Sequence, residues 1–220
     1  ELTDKIDVAR PDNEFKINYN TSVQTIDLSK FKNCGTVAHN YIANLQITNN
    51  NSLVNLYMSN LGKVIGDLVV MDNPNMTSAL DFPYLTSVSG EVSLCRNAKT
   101  PSINLSSLTS MSGEMNVFNN TLAMSLNLGN FLSGMTSFAG YSSGYTSVSI
   151  PATCTALTSF SCYSCPNLTT INCAGGAGVI SNVFASGNPN LFSAAFPTSA
   201  GALSDFRLHD NPKLTSLIIP

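Results

Sequence analysis

Four cysteines have the spacing best suited to chemistry in this sequence. Cys154, Cys162, Cys165 and Cys173 follow the pattern C-x7-C-x2-C-x7-C. If all four thiolates converged they would close a tetrahedral zinc site. Held apart and buried, the same residues would be small apolar filler; one disulfide is a third outcome. A second set is acidic: Asp67, Glu91 and Glu114 each follow a glycine and recur at intervals of 24 and 23 residues, with Asp205 further along. Neighbouring carboxylates in one column repel by about 1 kcal/mol per pair in water. A hard cation such as calcium would relieve this if more oxygen ligands stood nearby. No Asp-rich loop of the calcium-binding kind accompanies them, so a solvated acidic edge without metal is expected.

Acid–base catalysis needs titratable groups beside a concave pocket. The chain has two histidines, His39 and His209, and Met115 to Ser204 contain no Asp, Glu, Lys, Arg or His. The run Gly175-Gly-Ala-Gly178 lacks the lysine and the helix pattern of a phosphate loop. The expectation is a protein that is not an enzyme and carries no cofactor. Charged residues are 10% of the chain and the net charge is −3. Nucleic-acid binding would need a Lys/Arg stripe instead. No apolar run approaches the roughly 20 residues of a membrane span.

These residues must be positioned by a repeat. A column of turn residues, Asn50, Asn73, Asn97, Asn120, Ser143, Cys165, Asn188 and Asn211, recurs every 22 to 24 residues. Three units read almost alike: Cys165-Pro-Asn-Leu-Thr-Thr-Ile171, Asn188-Pro-Asn-Leu-Phe-Ser-Ala194 and Asn211-Pro-Lys-Leu-Thr-Ser-Leu217. A period of this length marks a solenoid, in which each unit buries its apolar side against its neighbours. Each unit shows two short stretches of period-2 alternation, one on either side of the column, consistent with strands of a few residues. The Thr-Ser pairs after Leu85, Leu108, Met135 and Leu157 read as bends between them. Two parallel sheets lining a flattened coil follow. The asparagines at Asn50, Asn73, Asn97, Asn120, Asn188 and Asn211 then form a structural turn ladder, each inward amide bonding the backbone of a tight turn.

Residues 1–44 fit the repeat poorly and carry eleven of the 23 charges by residue 32, as a solenoid cap would. Residues 45–220 form the solenoid. The chain opens on Glu1 and stops at Leu217-Ile-Ile-Pro220 inside a repeat. Further chain, or a packing partner, is expected to cover that end.

Stacking turns sequence positions into columns about 4.8 Å apart. One outward column runs Met71, Cys95, Phe118, Tyr141, Tyr163, Ser186 and His209, beside the inward set Leu68, Val92, Met115, Phe138, Phe160, Val183 and Phe206. In that register Phe118, Tyr141 and Tyr163 form an exposed aromatic stripe, flanked by Met71 and His209. Aromatics with polar tips suit glycan stacking and protein hot spots. Another column, Asp81, Asn104, Asn127, Ser149 and Asn172, lies on the other strand. It is interrupted by Tyr57 and Ile218 and reads as a solvated polar face rather than an ice-matching array.

The unit Asn/Cys-x-x-Leu-x-x-Ile-x-Leu, with a second Leu-x-x-Ile-like half, resembles the 23-residue leucine-rich repeat of the BspA-like (treponemal) class. Val148-Ser-Ile-Pro151, Leu217-Ile-Ile-Pro220 and Cys165 in the Asn column carry the likeness, which covers about residues 45 to 220. The chain departs from that pattern by lacking an Ala-Phe pair before the column. The resemblance implies a mainly β leucine-rich-repeat solenoid of about eight 22–24-residue turns with little helix. It also implies a cell-surface or extracellular adhesin contacting protein or glycan. The alternative is a virion or appendage component, such as a phage fibre or decoration domain, working by assembly, which few charges and many Ser, Thr and Asn would suit.

Overall fold

The computed structural model describes residues 14–30, 44–129, 133–173, 180–196 and 203–219. These contain β-strands and no helix, and strands pair in parallel with their counterparts one repeat on. The front of the molecule is one continuous sheet. Glu14–Asn18, Asn44–Thr48, Leu68–Met71, Val92–Cys95, Ser110–Asn116, Ser133–Ala139, Ser159–Ser161, Asn182–Phe184 and Asp205–Arg207 lie side by side in chain order. The register carries Leu45 onto Leu68, then Val92, Met115, Phe138, Phe160, Val183 and Phe206. This is a parallel β-solenoid with turns of about 23 residues, seven of them between Leu45 and Phe206.

The back is divided where the front is continuous. Thr25–Asp27 pairs with Asn55–Tyr57. Leu80–Asp81, Ser102–Leu105 and Ser125–Leu128 form a second short sheet. Ser147–Ser149, Thr170–Asn172, Ser193–Ala195 and Ser216–Ile218 form a third. At the corner leading into the front, Lys63–Val64 pairs with Ser87–Val88, which in turn pairs onto the start of Ser110–Asn116. Thr86-Ser87 and Thr109-Ser110 sit at this corner, whereas Thr136-Ser137 lies within the strand Ser133–Ala139, Ser137 pairing with Glu114 and Ser159. Thr86 Oγ1 donates to Gly62 O at 3.0 Å, Thr109 Oγ1 to Thr86 O at 2.9 Å and Thr158 Oγ1 to Thr136 O at 3.0 Å, tying each turn to the one before.

Within the charged N-terminal segment, Glu14–Asn18 and Thr25–Asp27 pair in register with the next turn, Phe15 on Leu45 and Ile26 on Leu56. That segment therefore contributes a rung of its own.

The core follows from the alternation. On the front strands Leu45, Leu68, Val92, Met115, Phe138, Phe160 and Val183 point inward and are buried. Adjacent positions trade volume along the axis. Ile47, Val70, Leu94 and Val117 give way in later turns to Gly140, Cys162 and Ala185. The room goes to Phe138 and Phe160, whose rings stack at 5.4 Å, and to fully buried Tyr145. A Cβ at Gly140 would lie 2.8 Å from the Phe138 ring, so glycine is required by a close approach. Tyr145 enters where one repeat is a residue short, and its hydroxyl donates to Val117 O at 2.5 Å.

Candidate functional site

The front sheet ends in a corner that fixes everything attached to it. The residue before each member of the turn column is left-handed: Tyr19, Asn49, Asp72, Arg96, Asn119, Ser142, Ser164 and Asp210 have φ between 51° and 59°, and Gly187 has 67°. This nine-rung kink aims the following side chain into the core. Asn50, Asn73, Asn97, Asn120 and Asn188 are fully buried.

Each asparagine works in two directions. Its side-chain oxygen accepts the backbone N–H of the column residue one turn earlier: Asn73 Oδ1 from Asn50 at 3.1 Å, Asn97 from Asn73 at 3.2 Å, Asn120 from Asn97 at 3.0 Å and Asn211 from Asn188 at 2.9 Å. Its Nδ2 donates to sheet-end carbonyls, as Asn120 does to Leu94 O at 2.7 Å and Val117 O at 2.9 Å. Ser143 and Cys165 stand in for the amide. Ser143 Oγ accepts from Asn120 N–H at 3.2 Å and donates to Tyr141 O at 3.1 Å; Cys165 Sγ donates to Gly140 O at 3.3 Å. Asn20 extends the ladder one rung before the column expected from the repeat, its N–H reaching Asn50 Oδ1 at 3.1 Å.

The outward column precedes the left-handed residues. The structure brings Phe118, Tyr141 and Tyr163 together as a flat stack, with ring centroids 4.5 and 4.6 Å apart and planes within 6°. The stripe is less open than the sequence suggests. The rings are half-buried because each covers its neighbour's face, and what meets solvent is the edge of the stack. Burial, with the phenol of Tyr163 alongside, raises the pKa of Tyr141.

Arg96 closes one end, its guanidinium 5.6 Å from the Phe118 centroid. That group is held by two bonds to Asp72, 2.6 and 2.8 Å, and lies 3.3 Å from Met71 Sδ. Arg96 therefore covers the step between half-buried Met71 and the rings, and Cys95 in the same column is fully buried, its thiol pushed up to about 11 by burial. At the other end, exposed His209 stands apart from the rings, with Ser186 between them. Its Nδ1 lies 2.8 Å from Asp210 Oδ2.

The acidic column is engaged in hydrogen bonding. Asp67 Oδ1 accepts the backbone N–H of Glu91 at 2.8 Å. Glu91 accepts from the Ser93 hydroxyl and from Asn116 Nδ2, the latter at 2.9 Å, while Glu114 is exposed. Asp205 pairs with Arg207 at 2.7 Å.

Cys162 and Cys165 bring their sulfurs to 3.8 Å at the front corner. Cys154, pushed up to about 11 by burial, instead donates to Met135 O at 3.7 Å. The five described cysteines are free and buried. Among the described residues no three His, Cys, Asp or Glu side chains converge to hold a metal ion. On the back, Asn104 Nδ2 donates to Asp81 Oδ1 at 2.7 Å and Asn127 Nδ2 to Asn104 Oδ1 at 3.1 Å. His39 and the Gly175–Gly178 run lie outside the described residues. No helix among the described residues is long and apolar enough to cross a membrane.

Sequence reasoning missed two features of this site. One is the left-handed column, signalled by Asn, Asp or Gly at positions 49, 72, 119, 187 and 210, types that tolerate positive φ. The other is Arg96, whose role depends on the ring one turn later. Comparison with known proteins leaves the geometry as the guide: no family model, curated protein or solved structure matches the chain.

Proposed function

We propose that this protein is a non-enzymatic recognition module, an extracellular or cell-surface binding domain that contacts protein or glycan along its front sheet. The observation carrying the reading is the stack of Phe118, Tyr141 and Tyr163, three parallel rings in consecutive turns on one face. Its ring edges and two phenols form a ready-ordered contact strip, so binding would cost little side-chain entropy. Tyrosine suits such a role because an apolar ring and a polar tip serve protein and carbohydrate alike. The leucine-rich-repeat likeness to BspA-like surface proteins supports an adhesive role.

The test is a glycan and extracellular-matrix array comparing wild type with Tyr141→Ala/Tyr163→Ala. Wild-type binding that falls about tenfold or more in the double variant is expected, as for loss of central aromatic anchors. No wild-type binding to either ligand class, or equal binding by a folded double variant, would overturn the reading.

A further inference from the structure

The ring column contains a gap one ring wide. Tyr163 covers Tyr141 with one face and turns the other along the solenoid axis. The next rung offers only Ser186 at that position, placed there by the bond from Ser164 N–H to Ser186 O at 3.0 Å. One rung further, Gly187 N–H to His209 O at 3.1 Å sets His209 in the same column. Two parallel-strand spacings separate Tyr163 from His209, about 9.6 Å. A ring seated midway would lie about 4.8 Å from each, close to the 4.5 and 4.6 Å at which the existing rings stack.

The walls of this notch are unlike the stack beside it. Gly187 replaces the side chain that other turns carry at the corner, and the atoms nearest a Cβ there are Ser164 Oγ and N, 3.7 and 3.9 Å away. Charge also returns here after the uncharged stretch: Asp205, Arg207, His209 and Asp210 all belong to this rung. Arg207 lies over the Phe184 ring at 5.1 Å and is doubly bonded to Asp205 at 3.0 and 2.7 Å. The notch thus has the flat Tyr163 face on one side, the His209 position of the column at the other and Ser186 between them, with Asp205 and Arg207 on the strand that leads to His209.

We propose that this notch takes one hexopyranose ring of a glycan, stacked on Tyr163, over Ser186 and against His209. A pyranose presents C–H groups on its faces and hydroxyls around its edge, matching aromatic faces flanked by donors and acceptors. A plain aromatic ligand would leave those polar groups unused and pays for their desolvation. The proposal rests on reading the front sheet as a recognition surface, and adds the ligand class and its position.

The experiment is saturation-transfer NMR on the full chain with methyl β-glucoside, methyl β-galactoside and methyl β-N-acetylglucosaminide as probes. Three variants accompany wild type: Ser186→Tyr fills the gap with a fourth ring, Ser186→Ala leaves it open, and His209→Ala removes an exposed wall. At least one glycoside should show transfer to its axial ring protons in wild type. Its affinity should fall about tenfold or more in Ser186→Tyr and several-fold in His209→Ala, but change less than about threefold in Ser186→Ala. Should Ser186→Tyr fail to fold, His209→Ala decides. Equal binding by wild type, Ser186→Tyr and His209→Ala, or no binding of any probe, would overturn the proposal. Array binding lost in Tyr141→Ala/Tyr163→Ala but kept in Ser186→Tyr would overturn the notch while leaving the recognition reading intact.

Discussion

A buried asparagine in a β-solenoid is a structural part whose cost depends on being fully used. Asn120 accepts none of its partners by chance: its Oδ1 takes the Asn97 N–H, and its Nδ2 serves the carbonyls of Leu94 and Val117. Replacing it with leucine leaves the Asn97 N–H and the Leu94 carbonyl to find other partners in a buried site, while Val117 O keeps the Tyr145 hydroxyl. Each unsatisfied group costs about 1–3 kcal/mol, so Asn120→Leu is expected to destabilise by at least about 2 kcal/mol, measured by urea unfolding. Asn120→Ser should cost clearly less, because Ser143 shows that a hydroxyl can accept the N–H and donate to a carbonyl at this place. Equal losses for leucine and serine would mean that packing rather than hydrogen bonding holds the ladder.

The repeated element is a strand, a left-handed corner and a buried amide, and its weakest part is the corner. Positive φ is natural for glycine but strained for residues with a Cβ, by roughly 1–2 kcal/mol, and least for Asn and Asp. Ser142 and Ser164 hold φ of 51° and 55° without that tolerance. Ser142→Gly is therefore expected to stabilise by about 0.5–1 kcal/mol, the relief exceeding the entropy lost by a freer unfolded chain. Thermal melting checks it: a higher midpoint is expected, and a lower one would refute the strain argument. The same corner explains why the aromatic column is so regular. Each ring precedes a residue of fixed φ, so its backbone is pinned from both sides, and rings 4.5 and 4.6 Å apart follow from strand spacing.

At the scale of the whole molecule, an interior without paired charge should respond to alkali rather than to acid. Cys95 and Cys154 are pushed up to about 11 by burial, and burial likewise raises Tyr141 and, more strongly, fully buried Tyr145. Unfolded thiols ionise near 8.5 and phenols near 10. Because the folded values lie above the unfolded ones, the unfolded state releases protons first as pH rises. These groups leave stability unchanged below about pH 8.5 and remove it progressively from there to beyond pH 11. Urea unfolding at pH 7, 9 and 10.5 should show this decline, and it should shrink when Cys95 and Cys154 are both replaced by alanine. A flat profile in that window would contradict the burial of these thiols and phenols.

Period, the buried turn column and the outward column were legible in the sequence, because a solenoid repeats one solution and its constraints recur as columns. Asn50, Asn73, Asn97, Asn120, Asn188 and Asn211 could be read as an inward ladder from spacing and amide chemistry alone, since an amide can both accept and donate at a buried turn. The register of Phe118, Tyr141 and Tyr163 followed from the same period. What the tertiary structure decided lies between turns, where identity at one position acts on the next. It divided the back sheet into three, closed the ring stack with Arg96, gave the acidic column hydrogen-bond donors, and made Gly140 yield space to Phe138 and Tyr145. Those outcomes depend on side-chain volume and direction across about 4.8 Å of axial spacing, and a one-dimensional pattern carries the spacing without the shapes that fill it.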